Sequence, residues 1–275
     1  MHPNFTSLKN KTVLITGGSS GIGKALAMRY AKSGANVVIT GRDEVKLTSV
    51  LNELSEFRNN VIAVVADVSV FEDCEKVMSE TIQKFGNIDV LINNAGISMR
   101  GLFADTNLEV IRKLMDTNFW GTVYCTKLAL PYLLQSEGSV VGVSSIAGKK
   151  GLPGRTGYSA SKFAIEGFLE TLRIENFKNN LHVLVACPGF TASAIRQSSL
   201  GADGKPQQES PRDENSMMSA DEVAEKIFVA VKYRKRDLVL TFNGKLTLWL
   251  NKFFPSMMDK IVYNHMSKEP GSPFK

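Results

Sequence analysis

The residues best suited to chemistry are Tyr158 and Lys162, four positions apart in Tyr158-Ser159-Ala160-Ser161-Lys162. On a helix that spacing puts both side chains on one face. A phenol ordinarily titrates at about pH 10, too high for proton transfer at neutral pH. An ammonium within a few ångströms favours the phenolate and lowers that value. The pair therefore reads as a proton donor beside its tuner. The spacing alone arises easily by chance, so its meaning depends on what accompanies it. Thirteen residues before the tyrosine, Ser145 ends Val143-Ser144-Ser145, at the exit of an apolar run.

A second candidate is Thr16-Gly17-Gly18-Ser19-Ser20-Gly21-Ile22-Gly23, which follows Val13-Leu14-Ile15 and opens a helical segment. Amides at a helix start are unpaired and carry partial positive charge, so a pyrophosphate can sit there. Two motifs compete. Gly17, Gly21 and Gly23 have dinucleotide spacing, whereas Gly18 to Gly23 with Lys24 matches most of a nucleotide triphosphate loop. That loop needs a hydroxyl next, to hold magnesium, and Ala25 has only a methyl. The dinucleotide reading is therefore preferred. After the second apolar run comes Thr40-Gly41-Arg42. An acidic residue there would bind a ribose 2′-hydroxyl, whereas a guanidinium suits a 2′-phosphate. Gly41 and Arg42 thus point to NADP(H) over NAD, with Asp43 beside them as a discordant note.

The elements that must position these residues are plain in the apolar pattern. Seven short runs recur: Val13–Ile15, Val37–Ile39, Val61–Ala66, Val90–Ile92, Val140–Val143, Val183–Ala186 and Leu238–Leu240. Each is continuous rather than alternating, as in strands buried on both faces. Helical spacing fills the gaps at Gly23–Ser33, Glu44–Phe57, Phe71–Phe85, Leu108–Gln135, Ser159–Phe177 and Ala220–Lys232. Strand and helix in alternation predict an α/β, doubly wound, seven-stranded parallel sheet with helices on both faces. The glycine turn, Asn93-Asn94-Ala95-Gly96 and Ser145 then fall at one sheet edge, where ligand chemistry collects.

Composition narrows the class. With 275 residues, 43% hydrophobic and 22% charged, the chain is long enough for one core without staples. We read a single domain over residues 1–275, with a mobile substrate loop at 191–219 and an apolar extension at 241–275. Three cysteines, odd in number, argue against a disulfide framework and for a reducing compartment. No spacing of metal ligands is present, and metal chemistry is not expected. The net charge of +6 permits phosphate-bearing or anionic partners. The basic run at 232–236 lacks interleaved aromatics, so nucleic acid is not expected.

Taken together and in order, these pieces resemble the short-chain dehydrogenase/reductase family over residues 10–240. The matching pieces are Gly17–Gly23, Asp67-Val68, Asn93-Asn94-Ala95-Gly96, Asn118, Ser145, Tyr158 with Lys162, and Pro188-Gly189. The resemblance implies a Rossmann-type fold and hydride transfer between nicotinamide and a carbonyl or secondary alcohol. It implies that Tyr158 donates the proton, Ser145 hydrogen-bonds the same oxygen, and Lys162 binds the nicotinamide ribose. Asn118 would hold a relay water. Gly17, Ser19, Ser20, Gly21, Ile22, Gly23, Arg42, Asp67, Val68, Asn94, Ala95, Gly96, Pro188, Gly189 and Thr191 would line NADP(H).

The extension, with Leu246, Trp249, Phe253 and Phe254, is more similar to the membrane-associated steroid, retinoid and 3-ketosphinganine reductase branch. That implies a bulky, lipid- or steroid-like substrate and a place in lipid metabolism. The expected location is the cytoplasm, with peripheral membrane contact through the tail. The family also implies a homodimer or homotetramer. Expected pocket residues are mostly apolar: Met99, Arg100, Leu102, Phe103, Leu152, Pro153 and Gly154, closed over by Met217 and Met218. The rival readings are a 3-oxoacyl thioester reductase, a non-catalytic dinucleotide-binding redox sensor and a phosphoryl-transfer enzyme.

Overall fold

The structure is a computed structural model and describes residues 7–191, 195, 198–207 and 217–274. The strands are β1 Thr12–Thr16, β2 Asn36–Gly41, β3 Val61–Val65, β4 Val90–Asn93, β5 Ser139–Val143, β6 His182–Cys187 and β7 Asp237–Val239. They form one sheet in the order β3-β2-β1-β4-β5-β6-β7, with every pairing parallel. Every apolar run is a strand, and the fold is the expected Rossmann-type one. The chain winds outward from β1 and then from β4 in the opposite direction. Connections leaving those two strands therefore diverge and open a crevice at their carboxyl ends.

The helices are α1 Gly21–Ala31, α2 Glu44–Glu53, α3 Phe71–Phe85, α4 Leu108–Leu114, α5 Gly121–Gln135, α6 Thr156–Glu175, α7 Ala220–Lys232, α8 Phe242–Phe253 and α9 Pro255–Ser267. Successive strand side chains point to opposite faces. Val13 and Ile15 bury against Leu26, Tyr30, Ile227 and Phe228 of α1 and α7. Leu14 faces the other way, into a core with Val77, Leu133 and Leu169 of α3, α5 and α6. Cys74 and Cys125, 51 residues apart in sequence, meet in that second core with their sulfurs 3.7 Å apart, both as free thiols.

One expectation is corrected and two gain detail. The single helix expected over Leu108–Gln135 is α4 and α5 joined by a wide π turn, Met115–Trp120. A residue inserted into the helical ladder widens it locally, often at a functional position, and Asn118 lies within this turn. Within the loop expected over 191–219, the stretch 198–207 makes defined contacts. Leu200 accepts from the Arg100 amide (2.8 Å), donates to the Ser98 carbonyl (2.9 Å) and buries against Met99 and Leu114. Residues 192–194, 196–197 and 208–216 of the expected loop lie outside the described residues. Finally, the apolar extension folds as a helix pair. Pro255, which cannot continue α8, starts α9. Met258 and Met266 of α9 are buried, while Trp249 and Phe253 of α8 remain more than half exposed.

Candidate active site

A cavity of about 530 Å³ lies at the carboxyl edge of the sheet. Its cofactor end is built on α1. Gly17 sits at φ +65°, a conformation that side chains resist, and turns the chain out of β1. A β-carbon on Gly23 would stand 2.1 Å from the Gly17 carbonyl oxygen, so only glycine lets α1 approach the turn. The Asn94 amide donates to the Thr16 and Gly17 carbonyls (2.9 and 3.1 Å), fixing the turn against β4. Asp43, Ser219 and Thr241 cap α2, α7 and α8 with side-chain bonds, but Ser20 makes no such bond to α1. The first amides of α1 therefore face the cavity without a side-chain cap, which suits a diphosphate.

Just after β2, Arg42 lines the cavity and pairs loosely with Asp67 at 3.6 Å. An exposed pair of that length holds a guanidinium weakly. Asp43, the discordant neighbour, accepts from the Lys46 amide at 3.1 Å as the cap of α2. That bond and the Lys46 ammonium hold its carboxyl below the ordinary range. Lys46 lines the cavity too. The sequence reading missed it; the signal was its place three residues after a capping aspartate.

On α6, Tyr158 and Lys162 share one face and line the same cavity, with the Lys162 nitrogen 5.8 Å from the tyrosine ring centre. Lys162 is buried and donates to the Val143 carbonyl, at the end of β5, at 2.8 Å. Burial pushes its ammonium down to about 8. Ser145 follows β5, lines the cavity and caps the next turn by accepting from the Ala147 amide at 3.2 Å. Ser144 also lines the cavity, but its buried hydroxyl has no hydrogen-bond partner.

Of the predicted site residues, Gly17, Ser19 to Ile22, Arg42, Asp67, Val68, Asn94 to Gly96, Ser145, Tyr158, Lys162, Pro188, Gly189 and Thr191 share the wall of this cavity. Gly23 acts from behind the turn. Asn118 also stands back from the wall. Its oxygen accepts from the Ile97 amide (2.8 Å), and its nitrogen donates to the Ile97 carbonyl (3.0 Å) and the Ser161 hydroxyl (2.9 Å). Through these bonds its side chain braces the Gly96-Ile97 backbone.

The substrate end differs from the expected apolar set. Met99 is fully buried in the core, and Leu102, Phe103, Pro153 and Gly154 are not on the wall. Leu152, Leu200, Arg100, Arg155, Lys113 and Gln207 are. Glu269, beyond α9, returns to this end: its carboxylate lies 3.2 Å from Arg155 and 3.7 Å from Arg100. Arg100 also donates to the Pro270 carbonyl at 2.5 Å. Among the described residues, no group of acidic, His or Cys side chains is arranged to hold a metal.

Comparison with known proteins places these features in a family. The family model for "short chain dehydrogenase" matches residues 11–203. The chain is 34% identical over 268 residues to dehydrogenase/reductase SDR family member 7B of Mus musculus, covering 95% of this chain and 83% of that one. It is 35% identical over 272 residues to 11-beta-hydroxysteroid dehydrogenase A of Sesamum indicum, covering 96% and 78%. A crystal structure of a short chain dehydrogenase/reductase from Burkholderia phymatum, in complex with NAD, superposes with a TM-score of 0.81 at 23% identity, covering 91% and 96% of the two chains.

Proposed function

The chain belongs to the short-chain dehydrogenase/reductase family, and from that premise we propose an oxidoreductase that moves a hydride between NADP(H) and a carbonyl or secondary alcohol. The observation that carries this reading is a single cavity lined by the glycine turn, Ser145, Tyr158 and Lys162. The turn and the start of α1 would hold the diphosphate, with Asp67 and Val68 near the adenine. Arg42 and Lys46 would pair a 2′-phosphate, and this pair of cations supports NADP(H) over NAD. Bound cofactor supplies or accepts the hydride at the nicotinamide ring.

This chain's residues handle the proton. In reduction the Tyr158 hydroxyl gives its proton to the carbonyl oxygen; in oxidation the phenolate takes it back. The Ser145 hydroxyl steadies the oxygen as negative charge develops there. Lys162 holds the nicotinamide ribose, and its ammonium favours the phenolate form of Tyr158. Thr191 closes the nicotinamide end, and Asn118 braces the wall and would hold the relay water.

Names of the relatives favour a bulky apolar carbonyl substrate, steroid- or lipid-like. A second reading, a 3-oxoacyl thioester, draws support from Lys113 and from the net positive charge that Arg100 and Arg155 keep against the single carboxylate of Glu269, which suits an anionic carrier. Screening aliphatic, steroid and acyl-thioester ketones with NADPH separates the two. No turnover with any of them, despite NADPH binding, would favour the non-catalytic sensor.

For partners we propose self-association and contact with a membrane surface. The first is supported by the aromatic group Phe71, Trp120 and Tyr124, whose rings are in contact at 5.3 and 5.6 Å and whose Trp120 is exposed. Sedimentation velocity reads the dimer or tetramer. The second is supported by exposed Phe242, Trp249 and Phe253 with Lys245 and Lys252 on the same helix. Among the described residues no helix is long and apolar enough to cross a membrane. Liposome flotation that W249E/F253E leaves unchanged would remove the membrane contact.

A further inference from the structure

Glu166 stands one helical turn beyond Lys162 on α6 and is no part of the cavity wall. Its carboxylate accepts from the Lys149 ammonium at 2.7 Å and from the Cys187 thiol at 3.1 Å. Each partner belongs to a segment of the proposed active site. Lys149 directly follows the turn Ile146–Gly148, which Ser145 caps. Cys187 ends β6 and directly precedes the cavity residues Pro188 and Gly189. One carboxylate thus joins the Ser145 turn and the Pro188 segment to the helix that carries Tyr158 and Lys162.

The charges around it are organised as well. A small cleft of about 150 Å³ behind the main cavity is lined by Lys149, Glu166, Glu170, Arg173, Arg236 and Asp237, three cations and three carboxylates. Arg236 bonds Glu170 and its own neighbour Asp237, so these charges are largely satisfied among themselves. Burial drives the Lys162 ammonium down, and the Cys187 and Glu166 side chains oppose that drift. Burial also pushes the Cys187 thiol far up, beyond neutral titration. At neutral pH the opposing charge is therefore that of Glu166.

We propose that Glu166 is a positioning residue of this active site: its carboxylate clamps the Ser145 turn and the Pro188 segment onto α6, one helical turn from Lys162. The inference rests on the hydride-transfer reading above and deepens it. No local motif announces the role, because the three segments it joins are brought together only by the fold.

The test uses the full-length protein, its Glu166→Gln, Glu166→Asp and Lys149→Gln variants, and two readouts between about pH 6 and 10. One is NADPH affinity by fluorescence; the other is kcat and KM with any ketone the screen finds. Glu166→Gln is expected to move the alkaline limb of both profiles down by about one pH unit, because Lys162 loses the charge that holds its proton. Its kcat should fall about tenfold while KM stays within about twofold, as for an effect on the chemical step. Glu166→Asp should restore the limb. Lys149→Gln cuts one arm of the clamp and keeps the carboxylate, so it should lower kcat severalfold and leave the limb in place. Coincident limbs in folded Glu166→Gln and wild type overturn the proposal. Should Glu166→Gln not fold, an unchanged kcat in Lys149→Gln overturns it. Full activity in Tyr158→Phe overturns the hydride-transfer mechanism instead, and the NADPH profile still judges Glu166 separately.

Discussion

At the end proposed for the cofactor, the cavity wall is made of turns that follow β1, β2, β3 and β4, each a run of neighbouring residues such as Gly17 with Ser19 to Ile22 or Asn94 to Gly96. At the substrate end it is made of Arg100, Arg155, Leu200 and Gln207, gathered from three regions and closed from behind by Glu269. The first end depends on backbone shape: a positive φ at Gly17 and a contact only glycine permits at Gly23. The second depends on side-chain contacts across long stretches, the Arg155–Glu269 bond spanning 114 residues. Phosphate recognition by amides thus needs a rigid local motif, whereas the substrate end can change by moving a few side chains.

Perturbing one end at a time sharpens or breaks this contrast. The largest effect is expected where the two ends meet. Tyr158→Phe should lower kcat by about 10²–10⁴-fold, the worth of a positioned acid, with NADPH affinity little changed; steady-state kinetics beside fluorescence titration checks both. Lys162→Met should abolish activity yet stabilise the cofactor-free protein. Native Lys162 gives up its proton at about 8 and the unfolded chain at 10.5, so between those values the unfolded state binds more protons. Wild-type stability therefore rises with pH in that window, and the advantage of Lys162→Met should shrink there, by up to about 3 kcal/mol. Denaturant melts at pH 7 and pH 10 read it, and a constant difference would count against a charged, buried Lys162.

Arg42→Ala should act on the cofactor end alone. It should lower the NADPH over NADH preference by about 10- to 30-fold, the loss of one charge-assisted contact of roughly 1.5–2 kcal/mol. An unchanged ratio of dissociation constants would remove the 2′-phosphate assignment. Glu269→Gln should act on the other end alone. It leaves two guanidiniums without their shared carboxylate, raising KM for the carbonyl substrate severalfold and lowering stability by about 1 kcal/mol. A matching loss of NADPH affinity would mean that the two ends are not separable.

That contrast also decides what could be read from the residues alone. The strands were visible because the inner ones bury both faces and so run apolar without alternation, as in Val90-Leu91-Ile92. The cofactor end was visible because its chemistry is local: glycine at fixed steps before a helix, and an arginine just after β2. Lys162 with Tyr158 was visible because one helical turn separates them. The π turn around Asn118 was hidden, since the sequence Met115–Trp120 carries no proline or glycine to mark a change of helix. Hidden as well were the burial of Met99 and the return of Glu269 to Arg100 and Arg155. Both are set by how distant segments pack, and they put charged side chains among apolar ones at the substrate end. Glu166 was passed over because an acidic residue on a helix ordinarily faces water, and only Lys149 and Cys187 give it a role.

The most direct measurement of the central claim follows the hydride itself. NADPH carrying deuterium at the transferable position of the ring is incubated with the ketone panel, and the products are read by mass spectrometry. The account predicts a deuterated alcohol from wild type and almost none from Tyr158→Phe under the same conditions. Equal deuterium transfer by both proteins would contradict it.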